Sequence, residues 1–101
     1  MLQISKELIG DHLTLTIAGR LDRNTVPELE SKLDSSFDGV SKLTFDFSDL
    51  EYISSAGLRI ILTARKKMKS DNAVVIKGAS KEVRDIFDMT GFSRILDVSW
   101  L

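Results

Sequence analysis

The residues best suited to chemistry are two adjacent serines, Ser54 and Ser55, which stand directly before a run with helical periodicity. A hydroxyl at this point can cap a helix by accepting a hydrogen bond from a backbone N–H group, which is worth about 1 kcal/mol. It can also be phosphorylated, which adds a charge of about −1.5 to −2 at the positive end of the helix dipole. The local fold would tolerate that phosphate, whereas a partner surface fitted to the neutral hydroxyl would not. The pattern therefore favours either a helix cap or a phosphorylation switch.

Two further residues of the same helix bear on this choice. Gly57 falls in the first helical turn, where glycine costs about 1 kcal/mol against alanine. Close approach of another backbone or of a bulky partner is one physical reason to keep a glycine there. Arg59 follows Ser55 by four residues, so its guanidinium group can reach a phosphate on that serine. An arginine at such a position is more often a solvated helix residue.

The sequence offers little support for a catalytic or metal site. The absence of cysteine excludes cysteine chemistry, and a single histidine excludes a histidine cluster. That histidine, His12, is expected in a hairpin turn. Asp46 and Asp49 flank the end of a predicted strand and could together hold Mg²⁺, but aspartates there are more often turn formers or helix caps. The chain also lacks the glycine-rich loops that bind nucleotide phosphates and the Gly-x-Ser-x-Gly elbow of hydrolases.

The elements that must position the serines begin with a β-hairpin and a helix. Residues 2–17 predict two strands joined by a tight turn at Gly10 and Asp11, the second strand alternating apolar and polar residues. Residues 25–28 have the spacing of a capping box, with proline in the first turn. A first helix is therefore expected from about Thr25 to Asp34.

The second half of the chain continues the alternation of strands and helices. Alternating residues 43–48 predict a third strand, residues 49–53 a loop, and the helix after Ser54 follows. A short apolar run at residues 73–76 fits a strand covered on both faces, and Gly78 with Ser80 opens a third helix. A last strand or helix is expected around Phe92, Ile95, Leu96 and Val98. The order ββαβαβα predicts an α/β sandwich, with a mixed sheet and helices packed mainly on one face.

Composition sets limits on the class of protein. A chain of 101 residues has room for one domain, and its 43% hydrophobic and 29% charged residues are typical of a globular one. The formal net charge of −1 argues against a direct nucleic-acid binder. No apolar run approaches the roughly 20 residues of a membrane span, and the first residues lack the order of a signal peptide. We therefore expect a small cytoplasmic domain without membrane insertion.

The segment from Asp46 to Arg59 resembles the signature of STAS domains, in particular the bacterial anti-sigma factor antagonists. The specific part is the Ser-x-Gly-Leu segment that begins at Ser55 and precedes the apolar helix. Residues 19–22, Gly-Arg-Leu-Asp, are similar to the Gly-x-Leu-Asp that follows the second strand in that family. The resemblance covers essentially the whole chain and implies a single STAS domain, with a STAS-like sandwich, over residues 1–101.

What the resemblance implies is a partner switch without enzymatic activity, cofactor or metal in the chain itself. In that family the unmodified antagonist binds an anti-sigma factor that is also a serine kinase, and this frees the sigma factor. The kinase phosphorylates a serine at the start of the second helix, the phosphoprotein dissociates, and a PP2C-type phosphatase resets it. The matching acceptor here is Ser55, with Ser54 as a rival because it stands where the family frequently has aspartate.

The implied partner surface lies on the loop after the second strand, on the turn before the second helix and on the exposed side of that helix. Its expected members are Asp22, Asn24, Thr25, Ser54, Ser55, Ala56, Gly57 and Arg59. For Asp22 a role as a turn residue before the first helix carries equal weight. The chain is expected to be a monomer or a weak dimer.

Two alternatives stay open at this point. One is a STAS docking or scaffold subunit of another complex, such as a lipid-transport system, without a phosphorylation switch. This alternative shares the fold, so fold alone does not separate it from an antagonist. The other is a small enzyme or nucleotide-binding protein that uses Asp46 and Asp49.

Overall fold

The computed structural model describes residues 2–34, 39–68, 74–92 and 99–100, and shows three helices and a mixed sheet. This confirms the predicted α/β class. The elements are β1 (Leu2–Ile9), β2 (His12–Leu21), α1 (Val26–Asp34), β3 (Lys42–Asp46), β4 (Leu50–Ile53), α2 (Ser55–Lys67), β5 (Val74–Lys77), α3 (Lys81–Met89) and β6 (Ser99–Trp100).

Strand β2 lies next to the edge strand β1 and pairs with three other strands. The order is β1-β2-β3-β5-β6, and β4 pairs with β2 off this path. The β1–β2 hairpin is antiparallel, whereas β3, β4, β5 and β6 all join the sheet by parallel pairing. The first half of β2 pairs with β3 and its last residues, Gly19 to Leu21, pair with β4. The end of β2 and the start of α2 therefore lie side by side.

The burial of the strands follows their hydrophobic patterns. In β2 every second residue from Leu13 to Ile17 is buried, as the alternation predicts. In β5 Val74, Val75 and Ile76 are all buried, which confirms a strand covered on both faces. Residue 73, which the sequence analysis included in this strand, lies outside the described residues.

Strand β4 corrects the sequence analysis, which expected a loop at residues 49–53. Leu50 and Ile53 are buried, but their spacing of three does not alternate, so the period of two that marks a strand is missing. The strand forms because its backbone pairs with β2, a contact between residues about thirty positions apart that no local pattern contains.

The end of the chain adds a second short strand. Strand β6 pairs in parallel with β5, with Val75 opposite Ser99 and Ile76 opposite Trp100. Of the residues expected in the last element, Phe92 is described and half-buried, whereas 95, 96 and 98 lie outside the described residues. The predicted order is thus extended by β4 and β6.

The helices are fixed by their ends and by contact with the core. Helix α3 begins as predicted at Ser80, whose hydroxyl accepts the N–H of Val83 at 3.2 Å. It is followed by Gly91, whose positive φ of 79° is common for the residue after a helix C-cap. Helices α1 and α2 pack against each other. None of the helices in the described ranges is long and apolar enough to cross a lipid bilayer.

Candidate functional site

Ser54 is the residue that starts α2. Its extended backbone (φ −96°, ψ 175°) places its hydroxyl to accept the N–H of Gly57 at 3.4 Å, and its carbonyl accepts the N–H of Leu58 at 2.9 Å. Its own N–H donates to the carbonyl of Leu21 at 2.9 Å, which ties the turn to the end of β2. The half-buried side chain of Ser54 is therefore occupied as a helix cap.

Ser55 is the first residue of α2 and its side chain is exposed. Within the part of the chain that the structure describes, its hydroxyl makes no hydrogen bond. The next residue, Ala56, is half-buried. Of the two serines, Ser55 is thus the one whose hydroxyl is not needed by the fold.

Gly57 lies beneath this turn and is buried. A Cβ atom built on it would lie 2.8 Å from Ile53 Cγ1 and 3.0 Å from Leu21 Cγ, closer than real Cβ contacts. The close approach expected at this glycine is therefore to the protein's own core. Because Gly57 is buried, a partner would not contact it directly. Its lack of a side chain lets α2 pack closely against β2 and β4, beneath the expected partner surface.

The loop after β2 is organised by the Asp22 carboxylate. Its Oδ1 accepts the N–H groups of Asn24 at 3.0 Å and of Thr25 at 3.2 Å. The Thr25 hydroxyl accepts the N–H of Asp22 at 2.9 Å and donates to the carbonyl of Arg20 at 2.8 Å. The predicted capping box does not form, because Asp22 takes the Thr25 N–H that Glu28 would have accepted. Asp22 is thus the turn residue that the sequence analysis considered.

A surface groove joins this loop to the turn before α2. Asp22, Ser54, Ser55, Ala56 and Arg59, all predicted site residues, line it together. The other predicted members lie beside or below it: Asn24 is exposed on the loop, Thr25 is half-buried and Gly57 is buried. The groove also includes Arg20, Arg23 and Tyr52.

Arg20 and Tyr52 were missed as site residues. They are register partners on β2 and β4, and the Arg20 guanidinium carbon lies 4.4 Å from the centroid of the Tyr52 ring. Their proximity depends on the pairing of β4 with β2, and β4 was expected to be a loop. Arg23 was considered only as part of the loop after β2, although its place beside the Gly-x-Leu-Asp motif was a usable signal.

The groove carries an excess of positive charge. Its lining contains the guanidinium groups of Arg20, Arg23 and Arg59 against the single carboxylate of Asp22. Among the described residues, none of these three guanidinium groups forms an ion pair. The dipole of α2 adds the partial positive charge of its N-terminus at Ser55.

Neither Asp46 nor Asp49 lines this groove among the described residues. The Asp46 carboxylate accepts the hydroxyl of Ser48 at 2.6 Å and its N–H at 3.0 Å. These hydrogen bonds hold the pKa of Asp46 below its ordinary value of 3.8. Over the described ranges, no group of three histidine, aspartate or glutamate side chains is placed to hold a metal ion. Asp46 therefore serves the turn between β3 and β4.

Comparisons with known proteins identify the family of the chain. The profile of the STAS domain family matches residues 3–100, and the chain belongs to that family. It is 28% identical over 96 residues to the anti-sigma-B factor antagonist of Listeria monocytogenes, a match that covers 92% of this chain and 83% of the relative.

Solved structures share the fold. The crystal structure of an anti-sigma factor antagonist from Mycobacterium paratuberculosis superimposes with a TM-score of 0.85 at 20% identity, covering 98% of this chain and 86% of the other. The Bacillus cell fate determinant SpoIIAA in its phosphorylated form gives a TM-score of 0.72 at 17% identity, covering 98% and 91%.

Proposed function

We propose that this chain is an anti-sigma factor antagonist: its unmodified form binds an anti-sigma factor, and phosphorylation at Ser55 releases it. The observation that carries the switch is the exposed hydroxyl of Ser55 at the first position of α2, which bonds to none of the described residues. The name of the Listeria relative supports the antagonist role, and the phosphorylated form of SpoIIAA shows that a protein of this fold carries phosphate.

The burial and hydrogen bonding of the two serines favour Ser55 over Ser54 as the phosphate acceptor. The Ser54 hydroxyl already accepts the N–H of Gly57 and is half-buried, so a phosphate on it would disturb the start of α2. A phosphate on Ser55 needs no change in that cap. It also gains from the positive end of the helix dipole.

The proposed partner is an anti-sigma factor that is also a serine kinase. It binds ATP, transfers the γ-phosphoryl group to Ser55 Oγ and releases ADP, while the hydroxyl proton passes to a base of the kinase. A PP2C-type phosphatase hydrolyses the phosphate ester and restores the binding form. This chain acts as a substrate and a binding module, without a cofactor of its own.

Charge is the proposed cause of release. Phosphorylation brings a charge of about −1.5 to −2 into the surface that the partner covers. A charge that the partner surface does not compensate costs several kcal/mol to bury in a desolvated interface, enough to break a complex. The contact residues of that interface are proposed to be Asp22, Asn24, Thr25, Ser54, Ser55, Ala56 and Arg59, with Gly57 beneath them.

Other features belong to the same proposal. They are a single STAS domain over residues 1–101, a cytoplasmic location, a monomer or weak dimer, and no contact with nucleic acid or membrane. The alternative of a STAS docking or scaffold subunit gives Ser55 no role beyond its place in α2.

The test is phosphosite mapping by mass spectrometry on the chain recovered from its native cells under two growth conditions. A phosphate at Ser55 whose occupancy changes with condition supports the proposal. A phosphate found only at Ser54 contradicts the choice of acceptor, and no phosphate in any condition contradicts the switch and favours a docking subunit.

Partner capture with tagged variants gives an independent measurement. Ser55→Ala is expected to retain the anti-sigma factor and Ser55→Asp to lose it. Ser31→Asp places the same charge on an exposed serine of α1 and should bind like the unmodified chain. Equal binding by Ser55→Asp and Ser31→Asp would contradict the proposed interface.

A further inference from the structure

Three arginines on three different segments converge on the serine turn. Arg20 lies at the end of β2, Arg23 on the loop that follows it, and Arg59 in the second turn of α2. All three are exposed and line the groove that contains Ser55. The helix cap at Ser54 does not account for this concentration of guanidinium groups.

The fold sets the backbone position of each arginine, and a ring contact restrains the Arg20 side chain. The Arg20 guanidinium group stacks over the Tyr52 ring at 4.4 Å, which restricts its position. Arg23 follows Asp22, whose carboxylate fixes the loop through the N–H groups of the next residues. Arg59 lies four residues after Ser55, a spacing that brings helix side chains within about 5–6 Å at Cβ.

The charge of the groove matches one kind of ligand. Three guanidinium groups oppose one carboxylate, so the lining has an excess of two positive charges, and a phosphate monoester carries up to two negative ones. A phosphate monoester has three strong acceptor oxygens against the two of a carboxylate, so it can accept hydrogen bonds from several guanidinium groups at once.

We infer that a phosphate on Ser55 is bound by the chain's own arginines, with Arg59 and Arg20 as principal donors and Arg23 closing the loop side. The inference rests on the proposed function only in placing the phosphate at Ser55. Phosphorylation then does more than add repulsion: it occupies the three cations that the unmodified groove offers to acidic groups of a partner.

The test uses phosphoserine incorporated at position 55 during translation of the full chain. The second ionisation of the phosphate is followed by ³¹P NMR between about pH 4 and pH 8, since the phosphate of a free phosphoserine titrates at about pH 6. Binding by the arginines is expected to lower this pKa by about 0.5–1 unit, because opposite charges favour the dianion. The shift should shrink at high salt, as the groove is exposed.

Variants identify the cations responsible. Arg59→Gln should remove part of the shift, and Arg20→Gln, Arg23→Gln and Arg59→Gln together should remove most of it. Lys66→Gln, which neutralises an exposed cation at the far end of α2, should leave the phosphate pKa unchanged. If the triple variant is unstable, the single Arg59→Gln variant still allows the comparison when its Tm equals that of the parent chain.

The inference is wrong if the phosphate pKa agrees within about 0.2 unit between the parent chain and Arg59→Gln, and both titrate at about pH 6. This result does not depend on any cellular kinase. Absence of phosphate in native cells would contradict the proposed function and leave the arginine contact standing, whereas an unshifted pKa with Ser55 modified in cells would contradict the arginine contact alone.

Discussion

Replacing Gly57 by alanine tests the packing that seats α2 against the sheet. The added Cβ would lie 2.8 Å from Ile53 Cγ1 and 3.0 and 3.1 Å from Leu21 Cγ and Cδ2. The neighbours are buried core side chains, so they cannot move aside into solvent. Overpacking a core typically costs about 1–3 kcal/mol.

Helix propensity opposes this cost, because alanine is favoured over glycine inside a helix by about 1 kcal/mol. The net expectation is a loss of about 1 kcal/mol in the free energy of unfolding, measured by urea titration. For a domain of this size a loss of about 1 kcal/mol lowers Tm by about 4–8 °C.

A double-mutant cycle identifies the cause. Ile53→Ala removes the nearest atom, so Gly57→Ala should cost less in that background than in the parent chain. Thr63→Ala on the exposed side of α2 serves as the control for helix propensity and should stay within about 0.5 kcal/mol of the parent. A Gly57→Ala chain as stable as the parent, or more stable, would refute the packing argument.

Three further changes probe the surrounding turns. Ser54→Ala should lose about 1 kcal/mol of stability in urea unfolding, because it removes the acceptor of the Gly57 N–H. Gly78→Ala should lower Tm by more than Gly57→Ala, since its φ of +74° is strained for alanine and the new Cβ would collide with Ser48. The pKa of Asp46 is lowered by its hydrogen bonds from Ser48, so the stability it contributes is present above pH 3.8 and is lost as the pH falls through the lower folded-state pKa. Urea midpoints measured down this range should fall, and Asp46→Asn should show a smaller fall.

Each of these expectations has a result that would contradict it. Unchanged stability of Ser54→Ala would mean that the 3.4 Å contact to Gly57 does not cap α2. A Gly78→Ala chain no less stable than Gly57→Ala would remove the argument from positive φ. Identical acid profiles for Asp46→Asn and the parent would assign the acid sensitivity to other carboxylates.

Local patterns in the sequence were enough to predict most of the sheet and the start of α2. The alternation of apolar and polar residues from Leu13 to Ile17 predicts a strand with one buried face, and the structure shows that strand. A hydroxyl followed by an apolar stripe likewise marks a helix start, and Ser54 caps α2. These features were predictable because their causes lie within a few residues.

The groove itself was only partly predictable, because pairing between distant segments creates it. Strand β4 is four residues long and carries no alternation, and it exists through hydrogen bonds to the end of β2. Only that pairing places Arg20 over Tyr52 and brings both beside the serines. The spacing of four between Ser55 and Arg59 was local and visible, whereas Arg20 and Tyr52 are separated by about thirty residues.

The adjacent serines have different structural roles, which explains how this site can be regulated without unfolding. Ser54 holds α2 to the end of β2 through the Leu21 carbonyl and the Gly57 N–H. The hydroxyl of Ser55, one position later, makes no hydrogen bond to the described residues. Ser55 lines the groove with excess positive charge. A modification at Ser55 therefore alters the charge of the surface while the backbone beneath it keeps its hydrogen bonds. A partner that recognises this groove would distinguish the two forms by electrostatics rather than by a change of shape.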